Sequence, residues 1–372
     1  MEFFIQRDVF LEGIQRTLGI VDRKTTIQIL NNVLIKAENE RVRITATDRE
    51  ISLIADYNAH VITPGETTVG ARKLFEMIRE IEGDRINFKR LENDWVYITC
   101  EKIVYRIPGI PADDFPEVAD ERDIDFFIIE RGVLKEMISK TFFAISTDEM
   151  RANLNGVYLE LKEDYVGMVS TDGHRISIVN IKCENEISEG KRIEGIIIPR
   201  KGIGEIRKLV ENGKEHAEIG VKDGKFVVKL DDVVLRVGLI EDTYPDYRRV
   251  VPKDKGIEIR VDKRQLLHAL RRMDVMSSER YSGVRIEIAD HKMILNSTNP
   301  DVGEANDEID ISYEGAGLEI GYNVKYLIDA IEVIDQNLVS FEMRSDEGAG
   351  VIRSVGMDNY MCVIMPIKLR RD

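Results

Sequence analysis

Asp172, His174 and Arg175 put a carboxylate, an imidazole and a guanidinium within four residues, in the run Ser170-Thr171-Asp172-Gly173-His174-Arg175. Such a trio could move protons and hold an oxyanion, so one reading is an enzyme using Asp172 and His174. The context points elsewhere. Asp48 and Asn299 stand at the equivalent position in two weaker copies of the segment, and His174 has no histidine counterpart in either. An Asp or Asn between two strands bonds its own backbone and shapes a tight turn. The run therefore reads as a turn on a docking surface rather than a catalytic centre.

Other motifs that carry chemistry are missing. Gly202 and Gly204, and Gly315, Gly317 and Gly321, miss the dinucleotide fingerprint, and no phosphate-cradling G-x-x-x-x-G-K-[ST] occurs. His60, His174, His216, His268 and His291 never pair at metal-ligand spacing. No catalytic residue, metal or cofactor is expected. Cys100, Cys183 and Cys362 are odd in number and far apart, as in reduced, buried thiols of a cytosolic protein.

The elements that position the run recur. A short strand precedes a helix carrying Val9, Phe10, Ile14 and Leu18 on one face. Strands follow at residues 33–37, 41–46 and 50–57. The grammar then restarts with a strand at 67–69, a helix with Leu74, Phe75, Ile78 and Ile81, and strands at 85–89, 95–99 and 103–107. That is β-α-β-β-β twice. A loop with Pro108, Pro111 and Pro116 suits a domain junction. The segments from Glu2, Asp125 and Ile257 then match in type and order. Thr47, Thr171 and Thr298 end equivalent strands 124 and 127 residues apart. A repeat this long denotes whole domains. The expected fold class is α+β, with domains 1–122, 123–252 and 253–372. Each would hold two β-α-β-β-β units whose two helices pack on antiparallel sheets.

The 372 residues carry a net charge of −15, which by itself argues against nucleic acid. The distribution matters more. The six expected helices together carry +6, leaving −21 on the rest. Arg264, His268, Arg271 and Arg272 share one helix face, opposite Leu266, Leu267, Leu270 and Met273. The N-terminus has no long apolar run of a secretory signal and no stretch reaches membrane-span length, so no membrane partner is expected.

Six ordered motifs now carry a resemblance over the whole chain: "TDGHR", "IIPRKG" (197–202), "YPDYRRVVPK" (244–253), "GVRI" (283–286), "YNVKYLIDAI" (322–331) and "VIMPIKL" (363–369). The chain resembles the bacterial sliding clamps, the beta subunits of DNA polymerase III. The resemblance implies three clamp domains and a head-to-tail homodimer ring, with helices lining a hole that encircles duplex DNA without reading sequence. It implies a non-catalytic processivity factor, cytoplasmic and nucleoid-associated. Its partners would be the replicative polymerase, an ATP-dependent clamp loader and other clamp-motif proteins. A partner peptide would dock between the second and third domains, on Leu154, Thr171, Gly173, His174, Arg175, Ile176, Pro245, Arg249, Val250, Asn323, Tyr326, Val363, Met365, Pro366, Ile367, Lys368 and Leu369. Arg175, Arg249 and Lys368 would fix its polar ends. Lys24, Arg72, Lys73, Arg200, Lys201, Arg271 and Arg272 would face DNA, and Tyr105 and Ile107 would meet Val275 and Met276 of the other chain. A repeat scaffold that binds no DNA is the rival reading, and it leaves the basic helices unexplained.

Overall fold

The computed structural model describes residues 1–21, 26–119, 124–162, 164–182, 193–254, 256–278, 281–344 and 348–368. Lys24, Cys183, Leu369 and the expected boundary at 122/123 lie outside them. The first copy comprises β1 (Glu2–Gln6), α1 (Arg7–Thr17), β2 (Asn32–Glu38), β3 (Arg41–Thr47), β4 (Ile51–Asn58), β5 (His60–Thr63), β6 (Gly65–Gly70), α2 (Ala71–Arg79), β7 (Arg85–Arg90), β8 (Trp95–Cys100) and β9 (Ile103–Pro108). The second comprises β10 (Phe127–Glu130), α3 (Arg131–Thr141), β11 (Gly156–Leu161), β12 (Tyr165–Thr171), β13 (Arg175–Lys182), β14 (Ile193–Pro199), α4 (Arg200–Leu209), β15 (His216–Lys222), β16 (Lys225–Leu230) and β17 (Val233–Gly238). The third comprises β18 (Ile257–Asp262), α5 (Lys263–Asp274), β19 (Gly283–Ala289), β20 (Lys292–Asn299), β21 (Gly303–Asp310), β22 (Leu318–Asn323), α6 (Val324–Glu332), β23 (Leu338–Met343), β24 (Gly350–Ser354) and β25 (Tyr360–Ile364). Among the described residues only β5 departs from the doubled β-α-β-β-β grammar. The sequence reading stops the third strand at Tyr57 and leaves these four residues, which pair with β1, as a loop.

Local chemistry fixes the hairpins. Asn39-Glu40, Asp223-Gly224 and Asp290-His291 each link two strands with both residues at positive φ (48° and 56°, 50° and 67°, 47° and 62°). Two-residue loops of this kind match the right-handed twist of the strands they join. The helices are bound in pairs by a repeated device. The first side chain of the first helix donates to carbonyls at the end of the second. Arg7 reaches Ile78 O (3.2 Å) and Arg79 O (2.6 Å), Arg131 reaches Val210 O (2.9 Å), and Lys263 reaches Glu332 O (3.0 Å). A cation there answers both the orphan carbonyls and the negative end of the helix dipole.

Among the described residues every strand pairing is antiparallel, and the sheets ignore the copy boundaries. One eight-stranded sheet runs β10-β15-β16-β17-β4-β3-β2-β6, joining the second copy to the first. The other runs β14-β11-β12-β13-β25-β24-β23-β18, joining the second copy to the third. A five-stranded sheet, β5-β1-β7-β8-β9, and a four-stranded one, β21-β20-β19-β22, complete the set. The chain accordingly falls into two compact units, Met1–Gly132 with Gly204–Leu239 and Val133–Ile203 with Ile240–Asp372. In the first unit Phe3 stacks on Phe88 (5.0 Å between centroids), and Phe10 meets both edge-on. All three rings are fully buried.

Phe88→Ala removes the ring that touches both others and leaves a cavity. The unfolding transition of that unit is expected to lose about 3–5 kcal/mol in a urea titration followed by tryptophan fluorescence from Trp95.

Candidate docking site and nucleic-acid interface

The turn between β12 and β13 is built on its aspartate. Asp172 Oδ1 accepts the N–H groups of His174 (2.9 Å) and Arg175 (3.0 Å). Thr171 Oγ1 accepts the Gly173 N–H (3.0 Å) and donates to Arg175 O (2.6 Å). The first copy repeats this closely: Asp48 Oδ1 accepts from Glu50 (3.0 Å) and Ile51 (2.6 Å), and Thr47 Oγ1 accepts from Arg49 (3.0 Å). Asn299 Oδ1 accepts the Asp301 N–H in the third (3.1 Å). Gly173 has φ +89°, where Arg49 holds a strained φ of 81° in the first copy. Asp172 is thus committed to backbone donors, which leaves it poorly suited to proton transfer.

Arg175 differs from its expected role. It is only 8% exposed. Its Nε donates to Asp172 (3.1 Å), Nη1 to Asp329 of α6 (2.6 Å) and Nη2 to Phe143 O (2.7 Å). The rings of Phe143 (5.0 Å) and Tyr326 (4.3 Å) lie against it. A guanidinium with every nitrogen engaged does not offer its charge to a peptide. It holds the turn to α6 instead, across 154 residues of chain.

Beside the turn lies a cavity of about 190 Å³. Buried Leu154, Ile176 and Val363 belong to one apolar cluster with Tyr244, and Thr171, Gly173, His174, Arg175 and Pro245 share the wall. Val250 and Met365 stand half exposed at the rim. Ten of the expected docking residues therefore meet. Asp246 and Tyr247 also line the cavity and were missed, although both sit within the quoted "YPDYRRV". Tyr247 is steadied by its hydroxyl on Glu160 (3.2 Å), a carboxylate 1% exposed that also accepts from Tyr165 (2.7 Å). Burial raises the phenol pKa of Tyr244 and of Tyr247, so both hydroxyls stay protonated at physiological pH. Tyr326 is raised as well, by burial first and then by Asp172.

The other described docking residues line no part of the cavity. Asn323 caps α6, accepting the Lys325 N–H at 3.0 Å. Tyr326 lies against Arg175, and Ile367 donates its N–H to Gly321 O (2.9 Å). Pro366 is half-buried. Arg249 and Lys368 are exposed, and Arg249 bonds Asp246 at 2.9 Å.

The basic helix positions are more engaged than their sequence suggests. Arg72 and Arg200 do not extend freely. Arg72 turns to Leu18 O (3.4 Å), while Arg200 donates to Ile145 O (3.0 Å) and lies over Phe142 (4.7 Å). Lys73 pairs with Glu76 (2.6 Å), Arg271 with Glu332 (2.6 Å) and Arg272 with Asp307 (2.7 Å), all at the surface. Lys201 is exposed. Such surface pairs contribute little and exchange readily.

β9, with Tyr105 half-buried and Val104 59% exposed, ends one sheet, and β21 ends another. Ile107 is 7% exposed and packs into its own chain, so Tyr105 is the more available of the two expected contacts. Val275, just beyond α5, is 71% exposed and Met276 is half-buried.

Profiles of the DNA polymerase III beta subunit match the chain in three stretches: N-terminal domain over residues 1–119, central domain over 128–246 and C-terminal domain over 248–368. The chain is 30% identical over 372 residues to a beta sliding clamp of Pseudomonas aeruginosa, covering 99% of this chain and 100% of that one. A crystal structure of a Pseudomonas aeruginosa sliding clamp bound to griselimycin matches with a TM-score of 0.93 at 30% identity, covering 99% of this chain and 100% of that one. The Bacillus subtilis clamp matches at 0.94 and 25% identity, covering all of both chains. With related sequence along its whole length and the same fold, the chain belongs to the beta sliding clamp family, the beta subunits of DNA polymerase III.

Proposed function

We propose that this clamp closes with a second copy of itself into a head-to-tail ring of six domains, bounded in each chain at 1–122, 123–252 and 253–372, and that duplex DNA threads the ring. As a member of its family the chain is a non-catalytic processivity subunit that serves DNA replication. Its partners are DNA, the polymerase and proteins that bring a short peptide motif. An ATP-dependent loader opens the ring, since the chain has no nucleotide motif of its own. It works in the cytoplasm, on the nucleoid.

The observation that carries the ring is the bookkeeping of strand edges. Within the chain, β17 meets β4 and β25 meets β13. In both junctions the last strand of one copy pairs with the fourth strand of the copy before it. β9 is the last strand of the first copy and β21 is the fourth strand of the third, and each ends its sheet with its outer edge unpaired. Joining β9 to β21 of a second chain repeats the same junction and removes both open edges. Val275, beside that edge, supplies an exposed apolar contact. The lining cations then meet phosphate without reading bases, which lets the ring slide. A polymerase held at the pocket has a local concentration on the order of mM.

The wild-type chain is expected to sediment at twice its 42.6 kDa mass. The double substitution Val275→Asp, Met276→Asp should yield monomers, because it buries two charges in the contact; a dimeric mutant at low micromolar concentration contradicts the interface.

Retention on DNA tests the ring directly. Loaded clamp should stay on a closed circle at high salt and leave within seconds to minutes after one cut, since the salt removes the phosphate contacts but not the enclosure. Equal loss from cut and uncut circles means binding along DNA, not around it.

The pocket is tested with a labelled peptide from a clamp-binding segment of the polymerase. His174→Ala and Met365→Asp should each weaken it about tenfold or more in fluorescence anisotropy, with the mass of the dimer unchanged. Unaltered affinity in both would place the peptide elsewhere.

A further inference from the structure

The segment that walls the peptide pocket has a counterpart in the first copy, and the two differ in one feature. Asp113-Asp114-Phe115-Pro116-Glu117-Val118, leaving the first copy, matches Asp242-Thr243-Tyr244-Pro245-Asp246-Tyr247 at the end of the second. Val118 therefore stands where Tyr247 does and has no hydroxyl. The strands differ in step with this. Glu160 of β11, Lys36 of β2 and Glu287 of β19 are equivalent, since they pair with Gly167, Arg43 and Ile294, each four residues before Thr171, Thr47 and Thr298. Lys36 and Glu287 are half-buried, and Lys36 is answered by Glu38 at 3.0 Å. Glu160 alone of the three is buried, at 1% exposure.

A glutamate is almost never buried so deeply unless it is partnered. In β11 Val157, Leu159 and Leu161 turn to one face, and Tyr158 and Glu160 turn to the other. The segment from Tyr244 covers that second face. Tyr244 stacks on Tyr158 at 5.0 Å, and the Tyr247 ring lies 6.2 Å from it. The Tyr247 hydroxyl donates to Glu160 Oε1 (3.2 Å), which also accepts from Tyr165 (2.7 Å), and Arg248 stands 3.5 Å from Oε2. Gly167, opposite Glu160, leaves room for this: a Cβ there would fall 3.1 Å from Glu160 Cγ and 3.0 Å from the Tyr165 ring.

Pro245, Asp246, Tyr247 and Val250 of the pocket wall all belong to this segment. Among the described residues the backbone hydrogen bonds of 245–250 are internal, Arg249 to Asp246 and Val250 to Tyr247, both 3.2 Å. Side chains rather than a strand ladder therefore fix the wall. Burial of Tyr244 holds it by contact, which is not directional, whereas the Tyr247 hydroxyl holds it by a bond of defined length and direction.

We propose that Glu160 is a positioning residue for peptide binding: through the Tyr247 hydroxyl it holds the 245–250 wall on β11 in the shape that the peptide fits. It lines no part of the cavity itself. This role rests on the docking of a peptide in that cavity.

The labelled polymerase peptide is titrated into the full-length clamp carrying Tyr247→Phe, Glu160→Leu, both together, Tyr165→Phe or Met365→Asp. Tyr247→Phe keeps the ring that lines the cavity and removes only its hydroxyl. It and Glu160→Leu should each weaken the peptide about fivefold, the worth of one hydrogen bond. The double variant should lose no more than Glu160→Leu alone, because both changes break the same link. Tyr165→Phe takes the other phenol from the same carboxylate and should lower the Tm without moving the affinity. Unchanged affinity in Tyr247→Phe, additive losses in the double variant, or an equal loss in Tyr165→Phe overturns the proposal. Met365→Asp separates this role from the docking site. If it weakens the peptide and Tyr247→Phe does not, the cavity docks the peptide and Glu160 does not position it. If Met365→Asp binds like wild type, the docking site falls and the role of Glu160 with it. Should Glu160→Leu misfold, Tyr247→Phe against Tyr165→Phe still decides.

Discussion

An antiparallel half-sheet of four strands has an edge that must be answered, and most of this structure follows from how those edges are met. Each copy makes two half-sheets. Neither is closed by its own copy, so β17 adds to β4 and β25 to β13. Main-chain hydrogen bonds across these junctions are indifferent to side-chain identity, so copies that have diverged in sequence can keep the same joint. The docking pocket is a product of one such joint. β13 begins beside the end of β25, with Ile176 opposite Val363, and Met365 extends the ladder by donating to His174 O at 2.9 Å. Residues from two copies therefore meet in one apolar wall at this junction.

The run that first suggests catalysis owes its composition to the same junction. All three copies make the turn with Asp or Asn, yet the residue that opens the following strand is Ile51 in the first, Arg175 in the second and Val302 just before the third. Desolvating a guanidinium is expensive. Here two carboxylates, a carbonyl and two aromatic faces offset it. The arginine appears only where a neighbouring helix can bring Asp329 to it. Its specificity is positional: it sets the turn that carries His174 at the mouth of the pocket.

Much of this was legible in the sequence because it is local. Strand alternation, the amphipathic face of α5 and the Asp-based turns are written within ten residues of one another, and the triple repeat multiplies each signal. What was not legible is long-range. The 154-residue separation of Arg175 from Asp329 hides their pairing, so a charged residue in a docking motif reads as a ligand contact. Arg72 and Arg200 read as free cations, whereas backbone carbonyls near the first helix of each copy receive them. Short β5 has no alternating pattern long enough to separate it from β4. Tyr247 was overlooked because its place in the wall depends on Glu160, 87 residues away.

The pairing of the surface cations bears on how a ring could hold DNA and still move. An array of unpaired arginines would bind phosphate firmly and in register, and each step along the duplex would break several charge-assisted contacts at once. Lys73, Arg271 and Arg272 instead have carboxylates within the same surface. Exposed pairs of that kind contribute little, so a passing phosphate can replace the carboxylate and be replaced by it in turn. The free-energy difference between one register and the next is then small. In the proposed ring, enclosure supplies retention, and the acids beside the cations keep the surface from becoming adhesive.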